Sequence, residues 1–268
     1  MPDNSPIGIF DSGLGGLTVW RRIKKILPNE QLIYLADSGN CPYGPKPEEE
    51  IKRLAIACTD FLIDKGCKII VVACNTATSA AISHLREKYA IPFVGMEPAI
   101  KPAARLSKTG SVGILATAGT LNGELYKQTQ QRYANHVKIQ LQIGTGLVQL
   151  VEKGETDTPE AAALLKSYLE PMLEANIDQL VLGCSHYPFF KPLLKTLTLG
   201  KVRIVEPSKA IARQTRRVLL LNKLLANPKE ENRLTDEFYT TGSTELMNQF
   251  LSKVLRLEAK VDAVPFAL

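Results

Sequence analysis

The sequence predicts an α/β fold built from two similar domains. Short apolar runs of strand length alternate with segments of helical periodicity along most of the chain, and such alternation is typical of βαβ crossovers with largely parallel sheets and flanking helices. The chain also resembles itself: "SPIGIFDSGLGG" is similar to "GSVGILATAGT", and "IIVVACNTATSA" is similar to "LVLGCSHYPFF". Two domains related by a pseudo-twofold axis, with the active site in the cleft between them, would explain this repetition.

The predicted elements follow one another in a regular order. Strands are predicted, from the N-terminus onward, at "IGIF", "QLIYLAD", "KIIVVAC", "IPFVGM", "SVGILAT", "VKIQLQI", "QLVLGC" and "VRIVEP". Helical periodicity lies between most of them, for example at residues 48–65, 76–89, 98–108, 120–134 and 158–175.

The domain boundaries are predicted at two similar junctions, "GMEPAIKP" near residue 97 and "VEPSKAIA" near residue 206. The first domain would take residues 1–97 together with 207–268, and the second would take residues 98–206. A chain of 268 residues suits two domains of this size. Because ligands of open parallel sheets lie at the carboxyl ends of the strands, polar motifs at those ends would face one cleft.

Composition excludes several classes of function. No stretch approaches the length of about 20 apolar residues that a membrane span requires, so we expect no membrane contact. The net charge of +6 comes from Lys and Arg scattered along amphipathic helices, which argues against a nucleic-acid partner. The start of the sequence has neither a basic segment nor an apolar signal region, and we therefore expect a cytoplasmic protein.

The five cysteines form no C-x-x-C pair, so they predict free thiols and no disulfide framework or metal site. Cys58 and Cys67 are interpreted as core residues. Cys41 lies in the loop "GNCPYG"; a structural role is favoured, and a place near a site is the alternative. Three histidines are too far apart in sequence to form a helical metal motif, namely His84, His136 and His186.

Cys74 and Cys184 stand apart because each ends a predicted strand just before a helix and precedes polar residues. The positive end of a helix dipole favours a thiolate, which is basic and nucleophilic. Two such groups opposed across a small polar pocket suit removal of an acidic C–H proton on one face of a substrate and its return on the other. That reaction is racemisation or epimerisation, and no flavin or pyridoxal motif accompanies it.

Taken together, "GIFDSGLGGLTV", "CPYG", "VVACNTAT", "GMEPAIKPA", "ATAGTL" and "LVLGCSHYP" resemble the glutamate racemases of the aspartate/glutamate racemase superfamily. The resemblance runs from about residue 7 to residue 210. It implies an enzyme that racemises glutamate with no cofactor, supplies D-glutamate for peptidoglycan and forms a homodimer.

The resemblance also implies site residues. Cys74 would take the α-proton of D-glutamate and Cys184 that of L-glutamate, with Asp11 assisting at Cys74, and with His186 and Glu152 assisting at Cys184. The residues expected to bind the substrate are Asp11, Ser12, Tyr43, Gly44, Asn75, Thr76, Thr117, Thr120, Ser185 and His186.

The sequence departs from the family pattern at two places. Ser185 stands where threonine is usual after the second cysteine; the hydroxyl is kept and a methyl that restrains its rotamer is lost. The segment before "GLVQLVEKG" commonly reads Cys-Pro-Gly and here reads "GTG" at residues 144–146, which bears on the placement of Glu152.

Other interpretations of the same motifs stay open. "DSGLGGLTV" after a strand is compatible with a phosphate-binding loop, although it lacks the G-x-G-x-x-G spacing and a P-loop lysine. A module that binds a dicarboxylate without chemistry would use the same cleft. Thiol redox transfer is the third alternative, and neither cysteine has a resolving partner nearby in sequence.

Overall fold

The computed structural model describes residues 3–227 and 235–264, and within them ten strands form two parallel sheets. The strands are β1 (Ile7–Asp11), β2 (Leu32–Ala36), β3 (Ile69–Val72), β4 (Phe93–Gly95), β5 (Ser111–Ala116), β6 (Lys138–Ile143), β7 (Gln179–Gly183), β8 (Arg203–Val205), β9 (Glu237–Thr240) and β10 (Val261–Ala263). The first sheet has the order β10-β9-β2-β1-β3-β4, and the second has the order β6-β5-β7-β8. The predicted α/β fold is confirmed.

Helices flank both sheets and connect most of the strands. They are α1 (Leu17–Ile26), α2 (Glu48–Asp64), α3 (Asn75–Lys88), α4 (Ile100–Leu106), α5 (Ala118–Asn122), α6 (Glu124–Tyr133), α7 (Leu147–Glu152), α8 (Pro159–Glu174), α9 (Lys191–Leu197), α10 (Ser208–Leu221) and α11 (Thr244–Phe250). No helix within residues 3–227 and 235–264 is long and apolar enough to cross a membrane.

Strand β1 shows how the first sheet is covered on both faces. Ile7 and Ile9 belong to the same buried cluster as Ile23 of helix α1. Phe10, which points to the opposite face, belongs to the cluster that holds Leu54 of helix α2. Every residue of the strand is buried, which explains the continuous apolar run in its sequence, since parallel strands are covered on both sides.

The C-terminal part of the chain returns to the first sheet, where β9 pairs with β2 and β10 pairs with β9. This pairing is compatible with the assignment of residues 207–268 to the first domain, and the boundaries near residues 97 and 206 remain a proposal. Residues 1–2, 228–234 and 265–268 of that assignment lie outside the described residues.

One helix that was predicted to be continuous is divided into two helices. Residues 120–134 were expected to form a single helix, and the chain instead forms α5 and α6, which meet at Gly123. Gly123 is extended (φ −68°, ψ 143°), and a Cβ at this position would collide with Ser79. Periodicity alone could not show this break, because its cause is the close approach of α3.

Candidate active site

A small polar cavity lies where the carboxyl ends of strands from both sheets meet. Loops that follow β1, β3, β5 and β7 all contribute to its wall, as expected for parallel sheets. The cavity has only about 10 Å3 of space open to a water molecule, and it is lined by Ser12, Pro42, Tyr43, Gly44, Cys74, Asn75, Thr76, Thr117, Val148, Cys184, Ser185 and His186. The remaining predicted site residues, Asp11, Thr120 and Glu152, hydrogen-bond to members of this wall.

Cys74 follows β3 and is the N-cap residue of α3. Its Sγ accepts a hydrogen bond from the backbone N–H of Ala77 at 3.4 Å, which is the role that N-cap side chains fill at helix starts. Ser12 Oγ, from the loop after β1, lies 3.6 Å from the same sulfur. The Cys74 side chain is therefore held in place by both its own helix and the neighbouring strand's loop.

The helix start does not make Cys74 a thiolate in the unliganded cavity, contrary to the expectation from its sequence context. Burial first, and then the nearby charge of Asp11, raise the pKa of the Cys74 thiol to about 12, although the hydrogen bonds from Ala77 and Ser12 oppose this shift. The free-energy cost of burying a thiolate exceeds the stabilisation that one helix N-terminus provides. Cys74 is therefore a neutral thiol at physiological pH.

Cys184 lines the same cavity directly after β7 of the second sheet, and it contacts a histidine. Its Sγ is 3.8 Å from His186 Nδ1, and Ser185 Oγ is 3.2 Å from the same ring nitrogen. Burial on its own would lower the pKa of His186, but hydrogen bonds with Cys184, Cys41 and Glu152 raise it well above its ordinary value. These contacts favour the protonated form of the imidazole beside Cys184.

Glu152, the last residue of α7, contacts the other ring nitrogen of His186, Nε2. Its Oε1 lies 2.7 Å from His186 Nε2 and accepts a hydrogen bond from the backbone N–H of Leu14 at 2.6 Å. Ser38 Oγ donates to Oε2 at 3.3 Å. The three contacts come from three different loops and fix both carboxylate oxygens.

The "GTG" segment positions α7 despite its departure from the family pattern. Gly146 adopts φ +83° and caps the helix, a backbone conformation that favours glycine. Tyr187, next to the second cysteine motif, donates a hydrogen bond to the carbonyl of Gly144 at 3.0 Å, and a Cβ at Gly144 would collide with that hydroxyl. Gly146 thus begins the helix that carries Glu152, and Gly144 ties its start to the loop that carries His186.

Asp11 connects the two halves of the site. Its Oδ2 accepts a hydrogen bond from Gly16 N–H at 2.9 Å, and Ser185 Oγ, from the second sheet, donates to Oδ1 at 3.1 Å. The carboxyl is fully buried, and burial raises its pKa, against the opposing charge of His186. The hydroxyl that Ser185 shares with threonine is the group that makes this contact.

Three threonine hydroxyls join the two sheets at the opposite end of the cavity. Thr76 Oγ1 lies 2.9 Å from Thr117 Oγ1 and 3.3 Å from Thr120 Oγ1, and the last two are 2.9 Å apart. Beside them Gly119 N–H donates to the carbonyl of Gly44 at 3.1 Å. The "PYG" loop of the first sheet and the start of α5 are therefore in direct contact.

Tyr43 is held by a residue that sequence reasoning missed. Its hydroxyl donates to Asp37 Oδ2 at 2.5 Å, and Thr241 Oγ1, after β9, donates to Asp37 Oδ1 at 2.6 Å. Asp37 ends the predicted strand "QLIYLAD", so its position at a strand's carboxyl end was a signal that could have identified it.

Asn75 presents an unsatisfied acceptor at the cavity. Within the part of the chain that the structure describes, its buried Oδ1 has no hydrogen-bond partner, while its Nδ2 lies 3.5 Å from the carbonyl of Met96. A buried acceptor without a donor is costly, and an ammonium group is one donor that would satisfy it.

Cys41 lies at the site, so the favoured interpretation of this residue as purely structural is wrong. Its Sγ, the ring nitrogen of His186 and a carboxylate oxygen of Glu152 all lie within 4.8 Å of one another. Cys41 also lines a second, larger cavity of about 290 Å3 with Glu152. The sequence signal was the "PYG" motif that directly follows Cys41, because Tyr43 of that motif was predicted to bind substrate.

Comparisons with known proteins identify the family of this chain. Residues 7–215 match the family model described as Asp/Glu/hydantoin racemase. A glutamate racemase from Ectopseudomonas mendocina is 44% identical over 259 residues, which cover 96% of this chain and 97% of the relative.

Solved structures show the same similarity. Glutamate racemase isoform RacE1 from Bacillus anthracis superposes with a TM-score of 0.85 at 32% identity, covering 98% of this chain and 99% of that chain. The Escherichia coli glutamate racemase in complex with L-glutamate and the activator UDP-MurNAc-ala superposes with a TM-score of 0.84 at 33% identity, covering 97% of each chain. The chain therefore belongs to the Asp/Glu/hydantoin racemase family, and within that family it groups with the glutamate racemases.

Proposed function

We propose that this enzyme interconverts L- and D-glutamate without a cofactor, by moving the α-proton between Cys184 and Cys74. The observation that carries the proposal is that the two cysteines follow the carboxyl ends of β3 and β7, one strand from each parallel sheet, and line one cavity. Racemisation without a change in any other bond requires an acid and a base on opposite faces of one carbon.

In the direction from L- to D-glutamate, Cys184 as thiolate takes the α-proton and becomes a thiol. Cys74, a thiol, gives its proton to the opposite face of the α-carbon and becomes a thiolate. Cys74 must be protonated in the form of the enzyme that accepts L-glutamate, and the raised pKa of its thiol supports this state. The reverse direction begins with Cys74 as the thiolate, so each cysteine is the base for one enantiomer.

The groups around the two cysteines have distinct proposed roles. His186, charged and held by Glu152, would balance the negative charge of a Cys184 thiolate. Asp11 would assist proton movement at Cys74, since its buried charge acts on that sulfur.

The proposed substrate contacts come from both sheets. The free Oδ1 of Asn75 would accept from the substrate ammonium. The hydroxyls and backbone N–H groups of the remaining wall would bind the two carboxylates, and they belong to Ser12, Tyr43, Gly44, Thr76, Thr117, Thr120, Ser185 and His186. The bound L-glutamate of the Escherichia coli relative supports this choice of substrate.

The α-proton of an amino acid is weakly acidic, and a dry pocket with fixed hydrogen bonds would lower the barrier to its removal. The contact between Gly44 and Gly119 closes one end of the cavity. We propose that the two domains separate to admit substrate, with a hinge near residues 97 and 206.

The proposed cellular role is supply of D-glutamate for peptidoglycan biosynthesis in the cytoplasm, by a homodimer. It rests on the family, and on the activator bound to the Escherichia coli relative, which is UDP-MurNAc-ala. We propose no nucleic-acid or membrane partner.

The function is tested by incubating the protein with L-glutamate in deuterated buffer, with a chelator and no cofactor, while optical rotation and loss of the α-proton signal are followed together. Decay to zero rotation with deuterium incorporation is expected. Cys74→Ser and Cys184→Ser should each nearly abolish turnover, and full racemisation by both variants would exclude the mechanism. Binding without proton exchange would instead indicate a dicarboxylate-binding module.

A further inference from the structure

We propose that Cys41, His186 and Glu152 form an inhibitory binding site for a soft divalent cation such as Zn2+, at the edge of the active site. The three side chains offer one sulfur, one imidazole nitrogen and one carboxylate oxygen, all within 4.8 Å of one another. This is the mixed donor set that Zn2+ accepts, with three protein ligands and a fourth position for water.

The geometry requires only small movements to hold a tetrahedral ion. Zinc binds sulfur at about 2.3 Å and nitrogen or oxygen at about 2.0–2.2 Å, so neighbouring ligand atoms lie roughly 3–4 Å apart. His186 Nε2 and Glu152 Oε1 are now 2.7 Å apart and would separate slightly as the ion replaces the hydrogen bond between them.

The surroundings supply the supporting contacts that metal ligands require. Glu152 is fixed by the N–H of Leu14 and the hydroxyl of Ser38. The other ring nitrogen of His186 contacts Ser185 Oγ at 3.2 Å. Such partners hold a ligand's orientation and tune its affinity.

An ion has a route to the site that does not pass the substrate cavity. Cys41 and Glu152 both line the larger cavity of about 290 Å3, which is also lined by Ser243 and by Met247 of α11. Cys41 is half-buried, whereas Cys74 and Cys184 are buried. A soft cation entering from this side meets Cys41 before it meets either catalytic sulfur.

Inhibition follows from the residues that the ion occupies, and this step rests on the proposed function. The ion would occupy His186 Nε2, and the 2.7 Å contact by which Glu152 Oε1 orients the imidazole beside Cys184 would be lost. The base for L-glutamate would then lose the groups that stabilise it.

The binding step is tested with Co2+, a spectroscopic substitute for Zn2+, added to the full-length reduced protein in the absence of substrate. We expect one ion per chain, with a thiolate-to-cobalt charge-transfer band and visible bands of tetrahedral intensity. Cys41→Ser should lose the charge-transfer band, and Cys67→Ala, which removes a buried thiol elsewhere, should keep it. A band that survives in Cys41→Ser and disappears in Cys184→Ser would overturn the site.

The inhibition step is tested with metal-buffered Zn2+ in the racemisation assay, each variant being compared with its own rate without metal. We expect chelator-reversible inhibition that weakens at least tenfold in Cys41→Ser and is unchanged in Cys67→Ala. Equal inhibition of Cys41→Ser and the parent protein would overturn the proposal. Because the cobalt spectra need no turnover, they distinguish a failed metal site from a failed racemase assignment.

Discussion

His186 Nε2 and Glu152 Oε1 lie 2.7 Å apart, so a carboxylate from α7 controls the imidazole that contacts Cys184. The same Oε1 accepts from Leu14 N–H at 2.6 Å, which ties the pair to the loop after β1. The α7 carboxylate, the first strand's loop and the second cysteine motif therefore form one connected unit, and a change in any of them should act on Cys184 rather than on Cys74.

The first prediction concerns Glu152→Gln, which keeps the shape of the side chain and removes its charge. We expect kcat/KM to fall about 100-fold, equally for both enantiomers, because their equilibrium constant is one. The primary kinetic isotope effect distinguishes proton transfer at Cys184 from proton transfer at Cys74. It should rise for L-glutamate deuterated at the α-carbon and fall for the D-enantiomer, since proton transfer at Cys184 becomes slower than transfer at Cys74.

The matched control is Gln149→Ala, on the exposed face of the same helix, which should leave both isotope effects unchanged. Elimination gives a second readout, because an analogue with a leaving group beside the α-carbon needs only one base. Glu152→Gln should slow elimination from the L-analogue and spare the D-analogue. Equal slowing of both would show that Glu152 does not act through Cys184.

The second prediction compares two glycines of the "DSGLGG" loop. A Cβ at Gly13 would collide with the carboxylate of Glu152, which is the far end of a flexible side chain. A Cβ at Gly15 would approach the backbone nitrogen of His186 to 2.6 Å, and this atom cannot move aside. Gly13→Ala should therefore lower activity with little loss of stability, whereas Gly15→Ala should lower both.

Thermal unfolding and the deuterium-exchange assay, measured on the same two preparations, test this comparison. A Gly13→Ala variant with parental activity would mean that Glu152 can shift without consequence for catalysis, and the connected unit described above would lose its support.

The third prediction is a dependence of stability on alkaline pH. The pKa of Cys74 is about 12 in the folded protein against an ordinary value of 9.0, so the folded state keeps a proton that the unfolded chain releases between these values. The free energy of unfolding should therefore fall as pH rises from about 9 towards 12, by roughly 1.4 kcal/mol per pH unit for this group.

Cys74→Ser removes the contribution of this thiol to the pH dependence of the free energy of unfolding. Its plot of stability against pH should therefore be flatter than that of the parent protein above pH 9. Cys67→Ala should flatten the curve in the same way, since burial also raises the pKa of Cys67 to about 12, yet it should leave racemisation intact. Urea denaturation at pH 8, 9 and 10 measures the slopes. Parallel curves for Cys74→Ser and the parent protein would contradict the raised pKa.

The sequence predicted β1 to β8, because parallel strands that are covered on both faces give continuous apolar runs, as in β1 and β3. The short strands β9 and β10 were not predicted. The sequence also located Cys74 and Cys184 through their repeated context. It could not show the protonation state of Cys74, because this depends on burial and on Asp11, which approach it only in the folded chain. The place of Cys41 beside His186 depends in the same way on contact between segments that are far apart in sequence.

The fourth prediction concerns a buried ion pair that is not part of the wall of the cavity that holds Cys74 and Cys184. Lys68 Nζ lies 2.7 Å from Glu30 Oε2, and both side chains are 2% exposed. Glu30 also accepts from the backbone N–H of Ala226 at 2.9 Å, so the pair ties the start of β3 to the segment after α10. Breaking a buried pair leaves one charge without a partner, which typically costs about 3–5 kcal/mol.

Glu30→Gln and Lys68→Met should each lower the free energy of unfolding by about that amount, measured by urea denaturation at neutral pH. The double variant Glu30→Gln with Lys68→Met should recover much of the loss, because it leaves no buried charge unpaired. The exposed pair Lys166–Glu170, 3.6 Å apart, is the control, and its removal should cost less than about 1 kcal/mol. If the single variants at the buried pair cost no more than this control, the pair does not hold these segments together. A double variant that is as unstable as the two losses added would show that the two charges act independently.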